Sequence, residues 1–139
     1  MADFNKIVQS ADWKREKHVP VIQVPDKVKR GEFFEVKVTI GLEIGHPNTT
    51  EHHISWVEVF FQPEGEPFAL TIGRAEFAAH GASTQGADTS TIYTHPEAAF
   101  HFKTDKPGTI QALSCCNIHG LWQNSQQVAV IQKIERLKR

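Results

Sequence analysis

The chain has 139 residues, of which 40% are hydrophobic and 22% charged, and its formal net charge at pH 7 is −1. This length predicts a single globular domain (~100–200 residues), and the balanced charge excludes a protein-wide field that would attract nucleic acid or an anionic membrane. No apolar run approaches the ~18 residues of a membrane span, and the start of the chain lacks a signal-peptide pattern, so we expect a cytoplasmic protein with no membrane partner.

The two cysteines of the chain, Cys115 and Cys116, are adjacent. A disulfide between neighbouring residues closes only with strain, so they do not form a disulfide framework. We therefore expect a reducing compartment and thiol or metal chemistry.

Strand-like runs separated by turn signals follow a polar N-terminal segment, which predicts at most a turn or a short helix. In the run over residues 34–40, Phe34, Val36, Val38 and Ile40 alternate with polar residues, as in a half-buried strand. Residues 41–53 and 81–88 are rich in turn-forming and small residues and predict loops. The predicted runs are 21–24, 34–40, 54–61, 68–77, 90–94, 98–103, 109–115 and 127–131.

Seven to eight short strands without an amphipathic helix predict an all-β fold. We expect one domain over residues 1–139, an immunoglobulin-like antiparallel β-sandwich with a short irregular N-terminal segment. The basic end of the chain, residues 133–139, is interpreted as solvated surface.

Candidate metal donors occur in three segments, each in a predicted loop or at a strand end. His18 precedes a Val-Pro pair, His46 and His52 share one long loop, and Cys116 is followed three residues later by His119. Loops from distant parts of a β-sandwich can meet at one point. Imidazole and thiolate donors predict a transition-metal site there.

The spacing of these donors does not by itself identify the metal. Zinc sites usually close at about four ligands, and five candidate donors favour the larger coordination sphere of iron. A cupredoxin-like copper site is the other option for a β-sandwich with Cys and His in a late loop. Such a site usually has a weak axial Met, and the only methionine here is Met1.

Three motifs in this order resemble the superoxide reductase family, also called neelaredoxins or, with an added rubredoxin-like domain, desulfoferrodoxins. The similarity extends from about Asp12 to Trp122. The motifs are Trp13-Lys14-Arg15-Glu16-Lys17-His18-Val19-Pro20, His46-Pro47-Asn48-Thr49-Thr50-Glu51-His52-His53-Ile54 and Cys116-Asn117-Ile118-His119-Gly120-Leu121-Trp122.

The resemblance implies one non-haem iron ion (Fe2+/Fe3+) per chain, with Cys116 as its axial ligand. The four equatorial ligands that it implies are His18, His46, His52 and His119. By the same resemblance, Glu16 binds the iron in the ferric state only, and Lys17 is the cation beside the superoxide site. Both are implied catalytic residues. We expect the turn through Asn117, Ile118 and His119 to direct backbone N–H groups at the thiolate.

The implied activity is the one-electron reduction of superoxide to hydrogen peroxide without release of oxygen. Residues 1–12 contain no cysteine, so we expect no N-terminal rubredoxin-like domain and an external electron donor, with rubredoxin favoured. A homo-oligomer, preferably a tetramer, is also implied. The alternatives are a cupredoxin-like electron-transfer protein, a non-catalytic metal-binding protein and, closer in chemistry, a superoxide dismutase.

The remaining cysteine and histidines are interpreted as non-ligands. Cys115 is expected to face away from Cys116 as a small buried hydrophobe, and His53 to lie behind the metal or at the surface. His80, His95 and His101 are expected not to be metal ligands.

Overall fold

The computed structural model describes residues 3–132 and contains one short helix and eight strands. Helix α1, Phe4–Ile7, begins after Asp3, whose side chain accepts a hydrogen bond from the Asn5 amide. This contact satisfies one of the free N–H groups of the first turn. No helix within residues 3–132 has the length and apolar character needed to cross a membrane.

The strands form two sheets. The strands are β1 (Pro20–Gln23), β2 (Lys27–Lys29), β3 (Phe34–Ile40), β4 (Ile54–Pro63), β5 (Leu70–Glu76), β6 (Glu97–Phe102), β7 (Gly108–Cys116) and β8 (Gly120–Ile131). One sheet has the order β1-β3-β6 and the other β2-β8-β7-β4-β5. All pairs are antiparallel except β2 with β8, which is parallel. The predicted all-β, immunoglobulin-like sandwich is confirmed.

The core lies between the two sheets and follows the alternation of the sequence. Val36 and Val38 of β3, Val57 and Val59 of β4 and Ile110 of β7 are completely buried. Each such side chain stabilises the fold by about 1.5–3 kcal/mol relative to an exposed one. Because the sheets are fixed in this way, the loops at one end of the sandwich have rigid supports.

The prediction of a strand over residues 90–94 is wrong. This segment makes only an isolated bridge, between Tyr93 and His80, and loop hydrogen bonds such as that from Thr94 N to Ala79 O (2.8 Å). Gly81 has a φ of +85°, which turns the facing chain away from an extended path after that single bridge. The β-like composition of the segment therefore has no regular partner.

Two further strands differ from the prediction. Strand β8 begins at Gly120 rather than at residue 127, and the three-residue strand β2 was not predicted. Residues 123–127 of β8 are all polar, so they carry no alternating pattern. Their extended shape comes from pairing with β7, for example Asn124 opposite Ala112. The predicted surface role of residues 133–139 lies outside the described residues.

Candidate metal centre

The first donor, His18, is a buried residue just before β1, and its ring is held on two sides. Its Nδ1 lies 2.6 Å from Glu16 Oε1, and its amide donates to the same oxygen at 3.0 Å. Because a carboxylate only accepts hydrogen bonds, Nδ1 is the donor in this contact, and Nε2 faces His119 on the other side of the ring. The Trp122 ring stacks on His18 at 4.8 Å between centroids and an angle of 14°.

The loop between β3 and β4 supplies His46 and His52. His46 Nδ1 donates to the Pro47 carbonyl at 2.6 Å. The Nε2 atoms of both histidines are buried and have no hydrogen-bond partner within the described residues. Burial lowers the pKa of His46 to about 4, and burial followed by the charges of His119 and His18 lowers the pKa of His52. Both rings are therefore neutral at pH 7, which is the state that binds metals.

The β7–β8 hairpin supplies Cys116 and His119. Cys116 is the last residue of β7 and is 1% exposed, whereas His119 lies in the turn and is exposed. The sulfur of Cys116 accepts a hydrogen bond from the His119 amide at 3.3 Å. His119 Nδ1 lies 3.7 Å from this sulfur and 3.2 Å from His18 Nε2.

The four imidazole rings surround one point in a nearly square arrangement. The neighbouring centroids are 4.8 Å apart for His18–His46, 4.8 Å for His46–His52, 5.0 Å for His52–His119 and 4.8 Å for His119–His18. The diagonal between His18 and His52 is 6.5 Å. Donor atoms of His18, His52, Cys116 and His119 all lie within 4.8 Å of one another.

This arrangement fits a bound transition-metal ion. A buried ring nitrogen without a partner costs about 1–3 kcal/mol, and His46 and His52 each have one. The lone pair of His18 Nε2 faces His119 Nδ1 at 3.2 Å, a contact that a shared cation would stabilise. Nitrogen and sulfur donors suit iron, zinc or copper rather than magnesium or calcium.

Glu16 and Lys17 lie next to the cluster in the chain and are both half-buried. Burial raises the pKa of the Glu16 carboxyl, but the hydrogen bonds and charge of His18 outweigh it and the pKa is lowered. The carboxylate is thus ionised and holds the outer nitrogen of His18. The charge of Lys17 contributes, after burial and the neighbouring histidines, to the lowered pKa values of His46 and His52.

Asn117 connects the turn of the hairpin to the loop that carries His52. Its side chain accepts a hydrogen bond from the His53 amide (2.8 Å) and donates to the Glu51 carbonyl (2.8 Å), and its amide donates to the His53 carbonyl (3.1 Å). The Asn117 amide is therefore bonded to the His53 carbonyl, and the amide that donates to the Cys116 sulfur is that of His119. Ile118 is 56% exposed, and its role at the thiolate stays a prediction.

The other histidines and the second cysteine have separate environments. His95 and His101 are exposed and lie near Glu97 and Glu35. Cys115 is half-buried, and burial raises the pKa of its thiol.

His53 and His80 form a pair that the sequence did not indicate. Their rings stack at 3.5 Å and 3°, and His80 is buried. No local pattern signals this contact, because His53 and Asn48 lie in a different loop from His80. The hydrogen bond of His80 to Asn48 spans 32 positions.

Comparison with known proteins gives consistent results. A family model for desulfoferrodoxin matches residues 10–125. The superoxide reductase of Pyrococcus furiosus is 55% identical over 121 residues, which are 87% of this chain and 95% of that protein. The neelaredoxin of Megalodesulfovibrio gigas is 49% identical over 122 residues, covering 88% of this chain and 94% of that protein. The reduced superoxide reductase (neelaredoxin) of Archaeoglobus fulgidus gives a TM-score of 0.83 at 57% identity, covering 88% of this chain and 98% of the other.

Proposed function

We propose that this chain, which belongs to the desulfoferrodoxin family, is a superoxide reductase with one iron ion per chain. In this proposal residues 1–139 form one domain, and Cys116 and the four clustered histidines hold the iron. The nitrogen donors would be His18, His46, His52 and His119. The main support for the proposal is that the four imidazole rings form a near-square beside a buried cysteine sulfur.

The proposed reaction converts superoxide, one electron and two protons into hydrogen peroxide. Iron bound here would supply the electron, and the Cys116 thiolate would donate electron density to it. The chain itself fixes the imidazoles: Glu16 and the Pro47 carbonyl each accept a proton-bearing Nδ1, which leaves the Nε2 atoms of His18 and His46 as donors. Such contacts at the outer nitrogen set both the tautomer and the orientation of a ligating ring.

Lys17 is proposed to attract the superoxide anion and to hold a water molecule that delivers a proton. A local attraction is needed because the whole chain has a formal charge of only −1. Glu16 is proposed to bind ferric iron after the product leaves. To do so it would release His18, to which its carboxylate is hydrogen-bonded here at 2.6 Å.

The reaction requires an electron from outside the site, and we propose rubredoxin as the donor. Names of relatives support the substrate, since the Pyrococcus furiosus protein is called superoxide reductase. A cytoplasmic location and a homo-oligomer, with a tetramer favoured, are part of the same proposal.

The oxygen yield separates reduction from dismutation. Iron-loaded protein, supplied with a reductant and a superoxide source, should form hydrogen peroxide without releasing oxygen. Release of about one oxygen for every two superoxide ions would indicate dismutation instead. Protein that binds iron but does not consume superoxide would favour the electron-transfer or metal-binding alternatives.

A further inference from the structure

A stacked pair of imidazole rings lies behind the loop that carries His46 and His52. The rings of His53 and His80 are nearly parallel, with an angle of 3° and centroids 3.5 Å apart. His80 is only 7% exposed. A polar ring buried to this degree is kept where its nitrogen atoms have partners.

Both ring nitrogens of His80 have oxygen partners. Nδ1 lies 2.9 Å from Asn48 Oδ1, and Nε2 contacts the Phe77 carbonyl. The Asn48 oxygen is the atom that faces His80, because the Asn48 amide nitrogen donates to the Thr94 carbonyl at 3.1 Å. Imidazole presents a nitrogen at each of two edges, so His80 spans the gap between the ligand loop and the end of the core.

The backbone of His80 also holds this loop. Its carbonyl accepts a hydrogen bond from Thr50 Oγ1 at 2.7 Å, and the same hydroxyl accepts one from the Asp88 amide at 3.0 Å. His80 therefore contacts the loop at Asn48, Thr50 and His53. The support behind it is rigid, since Phe77 is buried and its amide donates to the Ser55 carbonyl at the start of β4.

These contacts involve residues that are close in the chain to His46 and His52, the two donors whose Nε2 atoms are buried without a partner. Asn48 is two positions after His46, and His53 follows His52 directly. A small shift of this loop would move both nitrogens away from the centre of the cluster. Metal sites tolerate only shifts of about half an ångström.

We propose that His80 is a positioning residue of the metal centre. It clamps residues 46–53 through its stack on His53 and its bonds to Asn48 and Thr50, and so directs two of the imidazole donors. This inference rests on the proposed function only in requiring that a metal binds at the cluster.

Chelator competition with cobalt(II) on metal-free protein tests the proposal without measuring activity. His80→Phe keeps an aromatic ring for stacking but loses the polar contacts of the ring with Asn48 and Phe77. We expect its cobalt affinity to fall about tenfold, the lower end of the loss typical for residues that orient ligands. The d–d bands, which respond to the imidazole donors, should shift, while the Cys116 thiolate band is retained. His101→Phe is the matched control, since the His101 side chain is 61% exposed, and it should bind as the wild type does.

A second pair of variants covers the possibility that His80→Phe does not fold. Thr50→Val removes the hydroxyl that bonds the His80 carbonyl but leaves both rings in place. It should weaken cobalt binding, by less than the roughly tenfold expected for His80→Phe. Thr50→Ser restores the hydroxyl and should restore the affinity. A general loss of packing would not be reversed in this way.

The outcomes separate the two proposals. The role of His80 alone would be overturned if the wild type binds cobalt and the variants match it. In that case Thr50→Val and any folded His80→Phe protein would have cobalt affinities within about twofold of the wild type and unchanged spectra. Wild-type protein that binds neither cobalt nor iron would overturn the proposed function, and the role of His80 with it.

Discussion

Two rings of the cluster, those of His18 and His46, are oriented by a contact on the side that faces away from the cluster. The Glu16 carboxylate does this for His18, and the Pro47 carbonyl for His46. The His119 ring has the opposite orientation, since its Nδ1 rather than its Nε2 faces the sulfur of Cys116. The three inward atoms are therefore set by neighbours in the chain, which explains why short motifs carry so much of the site.

The positive charge of Lys17 is proposed to attract superoxide, and replacing this single residue tests the proposal. Lys17→Met should slow the second-order reaction with superoxide by about tenfold and flatten its dependence on ionic strength, because a local positive charge attracts the anion. Pulse radiolysis over a range of salt concentrations measures both quantities. Lys29→Met, at an exposed lysine of β2, is the control and should change neither. An unchanged rate and salt dependence in Lys17→Met would exclude steering by this residue.

Residue patterns predicted the donors but not their supports. His18, His46, His52, Cys116 and His119 lie in three motifs that could be recognised along the chain. The stack of His53 on His80 could not be predicted, since neither residue has a neighbouring signal and their contact depends on how two loops meet. For the same reason the sequence did not show that the Asn117 amide bonds to the His53 carbonyl.

At the scale of elements, the β7–β8 hairpin determines where Cys116 and His119 lie. Cys116 pairs with Gly120 across the end of the hairpin, and the intervening turn carries His119. Gly120 has a φ of +79°, in the left-handed region that glycine adopts without strain. The turn therefore depends on this glycine.

Gly120→Ala should destabilise the protein through the backbone alone. Space is open around the added methyl group, so the expected cost is the left-handed conformation, about 1–2 kcal/mol. This corresponds to a fall of roughly 3–10 °C in the midpoint of thermal unfolding. Gly45→Ala is a matched control, because that position also has open space but lacks a positive φ. An equal effect of the two substitutions, measured by calorimetry, would rule out this explanation.

The elements with alternating residues were predicted well, and those formed by pairing were not. Strand β3 follows its alternation of Phe34, Val36, Val38 and Ile40 with polar residues. Strand β8 extends seven residues further toward the N-terminus than its apolar end suggests, because the edge of β7 provides its hydrogen bonds. Residues 90–94 have strand-like composition but face a chain that turns away at Gly81. In both cases the partner determined the structure.

For the whole molecule, the sandwich brings together segments that are far apart in the chain. His18 and His119 are 101 positions apart, yet their nearest ring nitrogens are 3.2 Å apart. Composition and periodicity predicted the all-β class but contain no information on such a contact. The ordered motifs predicted the cluster through their resemblance to a family, and the structure brings those donors to one end of the fold.

The four imidazoles and the Cys116 thiolate are proposed to hold one iron ion. The most direct test is the iron content and visible spectrum of the purified protein, oxidised and then reduced. We predict about one iron per chain and a blue thiolate-to-iron absorption that bleaches on reduction and is absent from Cys116→Ser. A protein that stays colourless after iron reconstitution and oxidation, or that holds only zinc, would show that these donors do not form a thiolate-ligated iron site.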